Sequence, residues 1–147
     1  MNNQCHIFGE KLPVHKQYFT LACLTAALAV GLGAFGAHGL EGFLTENELA
    51  SFDTGVRYQF IHSIALLVLS IIYDKLPAPH LGLWAARLFI IGMLFFCGSL
   101  YLLTTGHLWG AGPWWWLGPI TPLGGLAFIG AWILLGSSVW RSKNDSV

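Results

Sequence analysis

The sequence predicts an all-α polytopic membrane protein, a bundle of four transmembrane helices. Of its 147 residues, 55 % are hydrophobic and only 10 % are charged. A soluble domain carries about a quarter charged residues, so this supply cannot cover a water-facing surface. The mean hydropathy is +0.63. Four separate stretches each hold roughly 20 mostly apolar residues, the length that crosses about 30 Å of hydrocarbon. Backbone groups in lipid must bond within their own segment, so these spans are helices, and no ten-residue alternation suggests a barrel. Seven basic and seven acidic side chains cancel, which excludes a nucleic-acid partner. The 14 % of aromatic residues excludes a disordered chain.

Residues 1–17 are expected to form a tail, followed by an uncharged first span at 18–37. The second span covers 57–73 and stops before Asp74, Lys75, Pro77 and Pro79. Its helix is expected to begin earlier. Thr45 with Glu48 has the form of a capping box, and Leu49, Phe52, Val56 and Phe60 recur at helical spacing, giving an amphipathic turn or two at the interface. The third span, 83–103, carries Arg87 one turn inside; the fourth covers 121–140, with Thr121 as N-cap and Pro122 at the first helical position. Residues 141–147 form the second tail. Four crossings put both termini on one side. Lys11, Lys16, Lys75, Arg141 and Lys143 lie there, Arg87 can snorkel to it, and Arg57 alone lies opposite, so both termini are expected in the cytoplasm. A cleaved signal peptide is the weaker reading of span one, whose apolar run exceeds the usual 7–15 residues and precedes no A-x-A site. Cys5, Cys23 and Cys97 have no outer-loop partner and no metal spacing, so neither a disulfide framework nor a metal site is expected.

Helices in lipid gain little hydrophobic benefit from meeting, so close backbone approach and polar contacts must hold them. Ala29, Gly33 and Ala37 form a small-xxx-small ridge on span one; Ala127 and Ala131, with Gly124 and Gly125, do the same on span four. Bundle packing explains these residues better than a permeation path, because neither inverted repeats nor matching broken helices occur. Trp109, Trp114, Trp115 and Trp116 read as an interfacial aromatic belt.

The polar residues concentrate between Asp53 and Ser63. Asp53 and Arg57 can pair one turn apart. Tyr58 with His62, Gln59 with Ser63, and Ser70 form an inward stripe, while Phe60, Ile64, Leu67 and Ile71 face lipid. Such groups inside a membrane suggest a site. His38 ends span one on the same outer side and His107 lies in the second outer loop. Imidazoles gathered at one depth could hold haem iron or serve a quinone. The blander reading, hydrogen bonding of His38 and His62 across helices to Tyr58, Gln59 or a free carbonyl, carries more weight. No G-x-S-x-G, H-E-x-x-H or paired intramembrane acids occur.

Four ordered motifs carry a resemblance: Gly33-Ala-Phe-Gly-Ala-His-Gly39; Arg57-Tyr58-Gln59 with His62; Gly98-Ser-Leu-Tyr-Leu102; and Leu117-Gly-Pro-Ile-Thr-Pro-Leu-Gly-Gly125 with Trp132. From Tyr18 to Trp140 the chain resembles the uncharacterised membrane protein family 0382, also called domain of unknown function 423, whose animal relative is transmembrane protein 256. The resemblance implies a small four-helix protein of the bacterial inner membrane with no established activity; the tail from Met1 to His15 is longer than the family leads one to expect. All four motifs fall toward one membrane face, where a shared polar pocket is expected from His38, Arg57, Tyr58, Gln59, His62, Ser99, Tyr101 and Thr121.

The expected function is that of a non-enzymatic accessory or scaffold subunit without a cofactor. Its partners would be the lipid bilayer and another membrane protein or a second copy, engaged through spans one and four. Two rivals remain: a redox-linked protein holding haem or quinone at His38 and His62, and a small oligomeric channel or exporter.

Overall fold

The computed structural model describes residues 15–110 and 116–140 in full, and the backbone alone at 6–7, 10–11 and 115. Four helical segments are long and apolar enough to cross a membrane: Lys16–His38, Glu46–Lys75, Pro79–Trp109 and Ile120–Trp140. Cys5, Trp114, Arg141 and Lys143 lie outside the described residues, as does most of the N-terminal tail. What is described of that tail is a two-residue antiparallel pair, His6–Ile7 with Glu10–Lys11.

Helix α1 (Lys16–His38) ends where the Gly39 and Leu40 N–H groups both bond to the Phe35 carbonyl. A tight turn follows, in which Gly42 has φ +89°, a conformation that suits glycine because it has no Cβ. Helix α2 (Glu46–Ile72) starts on the expected capping box: the Glu48 N–H donates to Thr45 Oγ1, and the Thr45 N–H donates to Glu48 Oε2 at 2.8 Å. It then runs unbroken for 27 residues, about 40 Å at 1.5 Å per residue. The capped turns and the second span are therefore one rod, eleven residues longer at its start than the apolar run alone suggests.

A short 3-10 turn, Tyr73–Lys75, leads into α3 (Pro79–Gly92), with proline at the first helical position, where a missing N–H costs nothing. The third span continues through one π turn, Met93–Cys97, into α4 (Gly98–Thr105). The last helix, α5, spans Ile120–Trp140. Thr121 thus sits inside the first turn of α5 rather than capping it. Its hydroxyl has a better partner across the bundle, Ser99 Oγ at 2.6 Å.

The helices form two intimate pairs, α1 on α2 and α3 on α5, joined through α2 against the π turn and α4. On α1 the buried small residues are Ala22, Ala29 and Gly36; on α5 they include Gly124, Ala131 and Ser138. Both sets recur every seven residues, the period that keeps a seam facing its partner in a left-handed crossing. Ala37 is therefore exposed and Gly36 takes the place expected for it: a Cβ on Gly36 would lie 3.1 Å from the Phe52 ring. Gly33 meets Val56, and Ala127 is half-buried. The closest approach is at Gly124, where a Cβ would stand 2.3 Å from the Phe96 backbone nitrogen. Gly125 touches only the edge of the Phe96 ring. The central core gathers Leu66, Leu69, Phe89, Cys97 and Phe128 around Ala85 and Ala86.

Candidate functional site

The polar residues of α2 point inward at two places. The first is a hydrogen-bonded knot linking three helices. Gln59, almost fully buried, donates from Nε2 to the Thr25 carbonyl of α1 at 2.9 Å and accepts at Oε1 from the Tyr101 hydroxyl of α4 at 3.0 Å. One turn on, the Ser63 hydroxyl lies 2.8 Å from Thr25 Oγ1, 2.7 Å from the Gln59 carbonyl and 3.6 Å from Met93 Sδ. Thr25 Oγ1 itself back-bonds to the Leu21 carbonyl at 2.9 Å. Buried polar groups in lipid have no water to turn to, so a glutamine that bridges two neighbouring helices fixes their register.

The second place is an aromatic cage around His62. Its Nδ1 lies 2.7 Å from the Tyr58 carbonyl, and the Trp132 indole N–H of α5 donates to its Nε2 at 3.3 Å. An indole can only donate and a carbonyl can only accept, so the partners assign His62 as the neutral tautomer protonated on Nδ1. The imidazole stacks on Phe128, with ring centroids 3.6 Å apart and planes 11° apart, and Phe89 packs at its side. Tyr58 stacks over Phe96 at 4.6 Å but is itself partly exposed.

The single pocket expected from the sequence is thus divided. Gln59 meets Tyr101, Tyr58 meets His62, and Ser99 meets Thr121 in a separate pair near the start of α5. His38 and Arg57 join none of them. Arg57 bonds Asp53 one turn back, through Nε at 2.8 Å and through Nη2, with both side chains largely exposed. His38 is exposed at the end of α1. Gly36 abuts Phe52 and Gly33 abuts Val56, so His38 stands level with residue 50 of α2. His62 lies twelve residues deeper, about 18 Å along the axis. One haem iron cannot take both rings, which would have to lie on opposite sides of a single metal. His107 instead approaches Glu48, Nδ1 to Oε1 3.7 Å.

Three participants carry no sequence signal of their role. Thr25 sits in an apolar run, and a threonine there ordinarily bonds back to its own helix. Phe128 is one apolar residue among many. Met93 enters through the π turn, which the sequence does not announce. Among the described residues no group of three histidines, cysteines or acids could hold a metal ion, and Cys23 and Cys97 are free thiols.

The model of a family described as a protein of unknown function, DUF423, matches residues 32–125, well over half of the chain. The chain belongs to this family. Similar proteins include the UPF0382 membrane protein YwdK of Bacillus subtilis, 48 % identical over 61 residues, which cover 42 % of this chain and 50 % of that protein. The UPF0382 membrane protein SAUSA300_0565 of Staphylococcus aureus is 42 % identical over 57 residues, 39 % of this chain and 47 % of that one. The chain thus spans about half the length of the curated relatives it matches. No solved structure matches. Within this DUF423 protein the matched segment holds Gln59, His62, Ser63, Tyr101 and Thr121, whereas Thr25, Phe128 and Trp132 lie beyond it. Family and helices agree on a multi-pass membrane protein.

Proposed function

We propose that this protein is a non-enzymatic accessory subunit of the bacterial inner membrane, with both termini in the cytoplasm, that holds a lipid or a membrane partner along its first helix. The observation that carries this reading is the isolation of α1. It packs along α2 and makes no comparable interface with any other described element, leaving Leu24, Leu28, Val30 and Phe35 exposed. The polar groups support the non-enzymatic part. Gln59, Ser63, Tyr101, His62, Ser99 and Thr121 are all engaged with one another or with neighbouring helices, so their hydrogen bonds are committed to assembly. Lys16 and Lys75 lie at the end opposite Thr45, His15 beside Tyr73 marking that end, in keeping with the expected orientation.

Gentle purification followed by native mass spectrometry tests the reading. A lipid or protein that stays bound to the intact chain, and is released by bulky substitution on the exposed face of α1 but not on that of α5, supports it. A chain recovered bare, or a haem absorption band abolished by His62→Ala, overturns it.

A further inference from the structure

The seam between α1 and α2 is open on one side. Its deeper part is an apolar cavity of about 370 Å³ between Ala29, Ala34, Phe60 and Ile61, with Arg57 at its edge. A second cavity of about 300 Å³ shares Gly33 and Val56 with the first and continues past Asp53 to Glu41. Both fall in the size range of small-ligand sites, about 300–1,000 Å³. Because they share a wall, they form one groove. The groove exists because α1 offers glycine and alanine where α2 offers Val56 and Phe60, so the backbones lie close and the side chains leave a trough.

The order of charge along this groove is specific. From the middle of α2 toward its start come Ile61, Arg57 and Asp53, with Glu41 at the mouth. The sequence is apolar, then cationic, then anionic, and Arg57 and Asp53 are one turn or about 6 Å apart along the axis. Their ion pair is largely exposed, and exposed pairs hold too little energy to resist a competing headgroup. An amphiphile complementary to that order has hydrocarbon, then an anion, then a cation. Arginine's planar fork suits a phosphate bidentately, and carboxylates suit a primary ammonium with three N–H donors.

We propose that the groove binds one phosphatidylethanolamine molecule, an acyl chain against Ala34 and Ile61, the phosphate on Arg57 and the ammonium between Asp53 and Glu41. This rests on the lipid-holding reading above and names its ligand. Phosphatidylglycerol would place the same phosphate on Arg57 but leave the two carboxylates facing an uncharged glycerol.

The test is native mass spectrometry of the full chain in detergent, titrated with phosphatidylethanolamine and phosphatidylglycerol of identical acyl chains. Phosphatidylethanolamine should be retained about tenfold more strongly, the order expected of one additional charge-assisted hydrogen bond. Asp53→Asn with Glu41→Gln should erase that preference, and Arg57→Gln should weaken both lipids. Ala34→Phe, a substitution at an exposed position, should fill the apolar part and weaken both, with circular dichroism confirming the helices. Equal or better retention of phosphatidylglycerol by the unaltered chain, a preference that survives the double substitution, or binding indifferent to Ala34→Phe overturns the proposal and leaves the broader lipid reading standing. Retention of neither lipid overturns the proposal together with the lipid form of that reading, leaving only its membrane-partner form.

Discussion

Replacing Gly124 by alanine tests the tightest contact in the bundle. The added Cβ would stand 2.3 Å from the Phe96 nitrogen and 2.8 Å from its Cα, against about 3.5–4.0 Å for an unstrained carbon contact. The obstructing atoms are backbone within the π turn, so no rotamer change relieves the clash. α5 must withdraw by about 1 Å, and a gap of that size forfeits up to half of each dispersion contact it opens. Ala131 and Ser138 share the same seam and would lose contacts with it. Overpacking costs about 1–3 kcal/mol when side chains can adapt, and a rigid obstruction belongs at the upper end. Alanine's helix preference returns at most about 1 kcal/mol. The net loss should be about 2 kcal/mol. Gly125→Ala is the control: same helix, same propensity, and an added Cβ 3.8 Å from the Phe96 ring, an ordinary contact. Reversible unfolding in mixed micelles, titrated with a denaturing detergent, should separate the two variants by about 2–3 kcal/mol. Stabilities within about 0.5 kcal/mol of each other, the usual scatter of independent sites, would refute the close-approach argument.

Gln59→Leu and Tyr101→Phe should be coupled because one hydrogen bond joins them; a double-mutant cycle on unfolding in micelles should give about 0.6 kcal/mol and not above about 1.7, the range of such bonds in membranes. Trp132→Phe removes the donor to His62 Nε2 and should cost about 1–2 kcal/mol, since the ring nitrogen is left buried without a partner; a melting temperature equal to that of the unaltered protein would contradict this. Thr45→Ala deletes the cap of α2 and should cost about 1 kcal/mol, read as faster amide exchange confined to residues 46–49.

Local signals are the legible ones. The capping box at Thr45 and Glu48 involves neighbours in sequence and appears in the structure. The proline start expected at Thr121 and Pro122, by contrast, gives way to a helix that already begins at Ile120, and Pro79, which reads as a breaker, opens α3. The spans are legible because lipid demands long apolar runs. A spacing of four along the small-residue ridge selects Ala37. Packed helices repeat at 3.5 residues per turn, so the seam drifts onto Gly36. The depth of His62 departs from expectation for a related reason. A second span starting at residue 57 puts His62 near a membrane face, whereas α2 begins at Glu46 and buries that ring three turns below His38. The Gln59–Tyr101 bond joins residues 42 apart; the sequence marks both as polar and inward without stating which helix meets which.

Lipid gives α1 no hydrophobic reason to stay beside α2, since hydrocarbon would cover it equally well. What holds it is the close fit at Ala29, Gly33 and Gly36 together with the bonds from Gln59 and Ser63 to Thr25. The third span and α5, by contrast, are locked by backbone-level contact of Gly124 with Phe96 in the π turn and by Phe128 seated over Gly92 of α3. α1 is therefore the element whose detachment disturbs least of the core. A molecule lodged between α1 and α2 binds only the docked form, and at a hundredfold its dissociation constant it stabilises that form by about 2.7 kcal/mol. This exceeds what one intramembrane hydrogen bond supplies. A groove occupied to that extent would hold the first helix more firmly than any single hydrogen bond of the polar knot.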